Sequence, residues 1–286
     1  MLSYGAYSQS HTNFTTSDYW KGQRKEFYFG LGVTNFLGDL GGLNRIGTDY
    51  SFMDLEWAMT IYGAHLGYRY RFIPWISTKS QLQYGLLMGD DKLTTEPARR
   101  NRNLNFQTHL IEFSQHLELV IYNNEHYGAR NKIKGLRGHR NKNDILYVFS
   151  GISVFAYFPQ AQGGPFLRDL NTEGQGLPGG PKDYGIVSWG IPFGMGFKLG
   201  LNRVWRLQFE LSYTKTFTDY LDDVSGVYYD NAAIASNFGS DAAYWADPSS
   251  GAFPTWTDPG EMRGDDSQKD AYFFFNVSFV RNLQQG

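Results

Sequence analysis

The chain has 286 residues, no cysteine, 33 glycines and a formal net charge of −2. Without cysteine there are no disulfides, thiolate nucleophiles or cysteine metal sites. A charge near zero leaves no nucleic-acid footprint over the chain as a whole. The mean hydropathy of −0.44 and the lack of any apolar run of about 18 residues exclude a bundle of transmembrane helices. They do not exclude a transmembrane β-barrel, whose strands alternate apolar and polar residues. Charged residues at 19% and aromatic residues at 17% suit such a barrel.

Residues 1–10 (MLSYGAYSQS) lack the basic and apolar regions of an export signal. An outer-membrane protein is exported through one, so the numbering is expected to be that of a processed chain or to start at the wrong residue. A cytosolic protein is the alternative. Residues 1–24 are read as a periplasmic arm and 25–286 as one barrel domain.

Period-2 alternation then dominates. In residues 26–35, Phe27, Phe29, Leu31 and Val33 share a face, with Gly30, Gly32 and Thr34 on the other. Residues 60–72 set Tyr62, Ala64, Leu66, Tyr68, Tyr70 and Phe72 against Gly63, His65, Gly67, Arg69 and Arg71. Residues 75–88 set Ile76, Leu82, Tyr84, Leu86 and Met88 against Ser77, Lys79, Gln81 and Gln83. Residues 105–120 set Ile111, Phe113, Leu117 and Leu119 against Glu112, Ser114, His116 and Glu118. Residues 145–158 are apolar on both faces, which leaves their orientation open. Residues 187–201 set Ile191, Phe193, Met195, Phe197 and Leu199 against Gly190, Gly194, Gly196, Lys198 and Gly200. Residues 204–217 set Trp205, Leu207, Phe209, Leu211 and Tyr213 against Arg206, Gln208, Glu210, Ser212 and Thr214. In residues 271–281, Phe273, Phe275, Val277 and Phe279 alternate with Tyr272, Phe274, Asn276 and Ser278.

The pattern predicts an all-β fold, an eight-stranded antiparallel transmembrane β-barrel (OmpA-like) in the outer membrane, with strands long enough to cross a bilayer when tilted. No helix and no internal repeat is read. Short and long connections alternate, which places the long ones outside the cell if the termini are periplasmic. Residues 121–144 break this rule as a long periplasmic turn.

A soluble barrel would turn its apolar face inward, but there is too much apolar face for a small interior. Aromatics recur near strand ends (Tyr62, Tyr68, Tyr70, Tyr84, Trp205, Tyr213), as girdles would. The polar faces then line a lumen only side-chain wide. Arg69, Arg71, Lys79, Lys198 and Arg206 face Glu112, Glu118 and Glu210 there, because unpaired buried charge is costly. This reads as a structural plug rather than a conducting or catalytic site. The strand-six glycines leave room for long side chains opposite.

Other chemistry is sparse. His65, His109 and His116 lie among carboxylates, but no triad spacing accompanies them. Asp219, Asp222, Asp223 and Asp230 form an oxygen-rich loop cluster that could suit calcium. It lacks the spacing of an EF-hand and reads better as turn scaffolding. Arg130, Lys132, Lys134, Arg137, Arg140 and Lys142 make the connection after strand four basic, fit for an acidic partner or anionic headgroups. Residues 218–269 are acidic and interleaved with aromatics, so this loop is expected to fold over the mouth or meet a partner. The Gly-Pro stretches around residues 163 and 179 lack a phosphate-loop lysine.

Four stretches together, Asn35-Phe36-Leu37-Gly38-Asp39-Leu40-Gly41-Gly42, Thr172-Glu173-Gly174-Gln175-Gly176, Ile191-Pro192-Phe193-Gly194-Met195-Gly196-Phe197-Lys198 and Thr218-Asp219-Tyr220-Leu221-Asp222-Asp223-Val224-Ser225, resemble a Bacteroidota family of small outer-membrane barrels that includes PorG of the type IX secretion system. The resemblance implies a non-enzymatic barrel without cofactor or metal that ties periplasmic secretion rings to the outer membrane. The basic turn and the N-terminal arm are then the docking elements, and the partners are lipid and other protein subunits, not nucleic acid. A narrow channel or an accessory subunit of another outer-membrane machine is the alternative.

Overall fold

A computed structural model describes residues 19–40, 61–94, 96–126, 142–201 and 204–283. Eight strands, β1 (Lys25–Leu37), β2 (Ile61–Ile73), β3 (Ile76–Asp90), β4 (Asn105–His126), β5 (Lys142–Gln160), β6 (Val187–Gly200), β7 (Trp205–Thr216) and β8 (Ala271–Asn282), pair antiparallel in chain order. β8 returns to β1, so the barrel is closed and no sheet edge is left open.

The register fixes the barrel's shape. One row of paired residues runs Leu199, Leu207, Phe279, Phe29, Leu66, Leu82, Phe113, Val154 and returns to β6 at Trp189. It starts at Leu199 and ends ten residues away at Trp189, so the stagger around the barrel is ten residues. For eight strands that stagger means a tilt of about 40°. The row also shows which way the wall faces. Leu66, Leu82, Phe113, Val154, Trp189 and Phe279 are exposed on the outside. On β2 the exposed side chains run from Tyr62 to Phe72, ten residue steps, or about 25 Å along the barrel axis at that tilt.

The interior has two storeys. At the tight-turn end it is charged (Glu26, Arg69, Lys79, Glu118, Lys198, Arg206 and Glu210, all buried). At the long-loop end it is apolar. Phe36, Leu87, Phe106, Leu110, Phe155, Tyr157, Tyr272 and Phe274 form one buried cluster with Leu221 and Val224 of the last loop. β5, whose orientation the sequence left open, sends Tyr147, Phe149, Phe155 and Tyr157 inward.

Two expectations are corrected. β4 runs on past residue 120 to His126 and β5 begins at Lys142, so both ends of the long turn expected over 121–144 are strand. A register shift between Val120 and Tyr122 carries the ladder on. The loops also contain helices, α1 (Pro97–Arg102), α2 (Asn231–Phe238) and α3 (Ser240–Ala246). They are too short for a periodic signal and are fixed locally. Glu96 accepts from the Arg99 amide and Pro97 opens the first turn of α1, while Asp230 accepts from the Ala232 amide at the start of α2.

Candidate functional site

Alternation delivers the charged storey. Glu26 stands opposite Arg69 across the β1–β2 pair, and Lys79 opposite His116 across β3–β4. Glu26 is the hub. Its Oε2 accepts from Arg69 at 2.6 Å and from Lys198 at 3.0 Å, and its Oε1 accepts from Arg206. Arg69 donates its Nε to Glu118 at 2.6 Å and its Nη2 to Gln208 at 2.8 Å. Ser77 donates to the same Glu118 oxygen at 2.8 Å. Lys79 donates to both oxygens of Glu210 at 2.6 Å, and the Tyr147 hydroxyl reaches Glu210 at 2.6 Å.

Aromatic faces line the remaining sides of the cations. Arg69 lies 5.3 Å from the ring centres of both Tyr28 and Tyr147, and Lys79 lies 4.3 Å from that of Phe149. Charge-assisted bonds of this kind are strong where water is excluded. The network also ties in the chain before β1. Arg206 donates to Gln23, the last residue of a 3-10 turn over Tyr19–Gln23. Glycine makes the packing possible, because a Cβ on Gly196 would overlap the Tyr147 ring.

The remaining lumen candidates sit differently. Arg71 is buried at the same end. Glu112 lies among the apolar storey, where it accepts from the Tyr272 hydroxyl. Glu26, the first residue of its alternating run, lies outside the lumen set expected from the sequence. Its parity with Tyr28 and Thr34 was the available signal.

The three histidines do not meet in one site. His65 faces the lumen and bonds Ser278 at 2.7 Å, with its Nδ1 unpartnered. His116 stacks on Phe149 at 4.8 Å, and His109 bonds Tyr84 at 2.7 Å. Among the described residues, no group of three or more His, Asp or Glu is arranged to hold a metal ion.

A second polar cluster closes the mouth. Arg263 is buried and donates to Glu173 at 2.9 Å and to the Asp223 carbonyl at 2.7 Å. Glu173 also accepts from the amides of Ser225 and Gly226 at 2.8 and 3.2 Å. Asp223 accepts from Thr172 at 2.6 Å and from Tyr184. Arg102 clamps Asp91 with two bonds, at 2.8 and 3.0 Å, and reaches the carbonyls of Asp39 and Arg263.

Asp219 accepts from the Ser225 hydroxyl at 2.7 Å, Asp222 from the Val224 amide at 3.1 Å, and Asp270 from the Leu221 amide at 2.9 Å. Burial pushes Asp219 up to about 7 and Asp39 and Asp223 up to about 6. Asp222 and Asp270 are raised well above the usual range by burial first, Asp222 then by repulsion from Asp39 and Asp219, and Asp270 by repulsion from Asp222, Asp219 and Asp39. Asp230 is exposed and serves as the α2 cap. Arg130, Lys132, Lys134, Arg137 and Arg140 lie outside the described residues, as does the side chain of Lys142 at the start of β5.

The chain is similar to two solved structures at very low identity. The attachment invasion locus protein Ail of Yersinia pestis, in complex with the heparin analogue sucrose octasulfate, has a TM-score of 0.38 at 8% identity, covering 90% of this chain and 97% of that one. Neisserial surface protein A has a TM-score of 0.37 at 6% identity, covering 91% and 97%. No curated protein matches the chain. A family model described as a domain of unknown function matches residues 13–242. With that much of its length matched, the chain belongs to the DUF6089 family.

Proposed function

We propose that the protein spans the outer membrane as a closed, plugged and non-enzymatic barrel, and serves as a structural anchor within a larger envelope assembly. The observation that carries this is the inverted wall. Leu31, Tyr62, Leu66, Leu117 and Ile152 are exposed on the outside while the ion network is buried inside. Water solvates such an outer surface poorly and hydrocarbon suits it. Arg69, Lys79, Tyr28 and Tyr147 lie wholly buried across the interior, which supports a plug over a conduit. The His65–Ser278 pair is sealed in the same interior, with no carboxylate bonded to the other ring nitrogen, which supports a structural role for it.

The finer reading takes in the resemblance to PorG-type barrels. The protein anchors a type IX secretion assembly in a Bacteroidota envelope, and the basic segment Arg130 to Lys142 and the N-terminal arm dock a periplasmic subunit. Fractionation tests the first part. The native chain should stay with outer membranes through alkaline and urea washes, and release without detergent would overturn the reading. Planar-bilayer recording should show no steady conductance. Pull-downs from detergent-solubilised membranes, with and without residues 130–142, test the docking role, which unchanged partners would refute.

A further inference from the structure

The loops at the long-loop end mix acids (Asp39, Glu96, Asp169, Asp230, Asp265, Asp266) with bases (Lys92, Arg99, Arg100, Arg168, Lys182, Lys269). At the tight-turn end, Arg281 is exposed near the end of β8. It pairs with Trp205 on β7 and with Phe27 on β1, and its guanidinium carbon lies 5.8 Å from the Trp205 ring centre. Phe27 pairs in turn with Tyr68. Lys25, two residues before Phe27 and on the same face, pairs with Tyr70.

The next row into the wall, Leu207–Phe279–Phe29–Leu66, is wholly apolar. A two-residue step along a strand tilted by about 40° rises about 5 Å. Arg281 and Lys25 therefore stand at the tight-turn edge of the apolar band, within side-chain reach of the lipid headgroups. Basic side chains keep their stems in the apolar layer and extend their charge to this level, and Trp and Tyr rings favour it. Among the described residues, the acids at this end are committed elsewhere. Glu26, Glu118 and Glu210 point inward onto buried bases. Asp144 lies on β5, across the closed sheet, and accepts from the Gly200 amide.

Resting on the membrane reading above, we propose that Arg281 and Lys25, framed by Trp205, Phe27, Tyr68 and Tyr70, bind the phosphate of an anionic phospholipid in the leaflet at the tight-turn end. The lateral position of these cations, on the wall rather than on the end face, favours a lipid over an acidic protein.

The test uses the full chain reconstituted in vesicles of equal parts phosphatidylglycerol and phosphatidylethanolamine. The protein is extracted in mild detergent and its retained lipid is measured by native mass spectrometry. Phosphatidylglycerol should be enriched, and the enrichment should fall about fivefold for each charge removed in Arg281→Gln and Lys25→Gln. Arg281→Lys and the loop variant Lys92→Gln should keep it. Equal enrichment in the double variant, with the barrel still inserted, overturns the site and leaves the membrane reading standing. Failure to insert in any vesicle overturns both. Retention of an acidic protein by Arg281 and Lys25 in membrane extracts, without lipid enrichment, also overturns the site.

Discussion

Glutamine at position 26 would keep the shape of the hub and remove its charge. Arg69, Lys198 and Arg206 share that carboxylate, with Arg69 at 2.6 Å and Lys198 at 3.0 Å. A unit pair at such a distance is worth about 6 kcal/mol at an effective dielectric of 20, most of it offset by the cost of dehydrating both ions. Removing one partner of a buried pair typically costs about 3–5 kcal/mol, because the other charge is left behind. Arg69 keeps Glu118 and Arg206 keeps Gln23, so the loss falls mainly on Lys198, and Glu26→Gln should destabilise the barrel by about 3–5 kcal/mol. Urea unfolding in detergent, followed by tryptophan fluorescence, reads this as a lower midpoint with an unchanged slope. Lys198→Met added to Glu26→Gln should recover part of the loss, since it removes the stranded cation. A loss under about 1 kcal/mol in the single variant, the range of an exposed pair, would refute the hub.

Three further outcomes follow from the same geometry. Gly196→Ala should push Tyr147 off Glu210 and cost about 1–3 kcal/mol, measured by the same unfolding. Arg263→Met strands Glu173 without its cation and should make residues 218–270 sensitive to protease, with the unfolding midpoint of the strands unchanged. The mouth should also respond to pH. Asp39, Asp219 and Asp223 are raised in the folded state to about 6, 7 and 6. The stability they contribute is therefore complete below the unfolded carboxyl range and is lost as pH rises through about 6 to 7. Hydrogen exchange at the Leu221 and Val224 amides, corrected for intrinsic rates, should be slowest near pH 5 and faster at pH 8. Protection that grows with pH would contradict this.

Strand number, face and order were legible because period 2 is a geometric property of extended chain. Phe113 and Glu112 could be assigned to opposite faces from sequence alone, and the structure places them so. The apolar storey was not legible. Phe155 and Tyr157 sit on a strand apolar on both sides, and Tyr272 and Phe274 alternate with other aromatics, so hydropathy could not tell lumen from wall. Nor could local pattern show that Arg263 reaches Glu173, 90 positions away. α2 follows from its Asp230 cap, and both α2 and α3 from tertiary packing around Ile234, Ala242 and Ala246 rather than from an amphipathic repeat.

The position of Glu26 bears on how the barrel closes. A slip of two residues at the β1–β8 seam would leave every side chain on the face it already occupies, so hydrophobic alternation alone cannot reject it. The slip would shift β1 by about 7 Å against β8 and would carry Glu26 away from Arg206 and Lys198, which reach it from β7 and β6. The buried ions thus discriminate among closures that share the same outer surface, at the one strand pair that joins the first strand to the last.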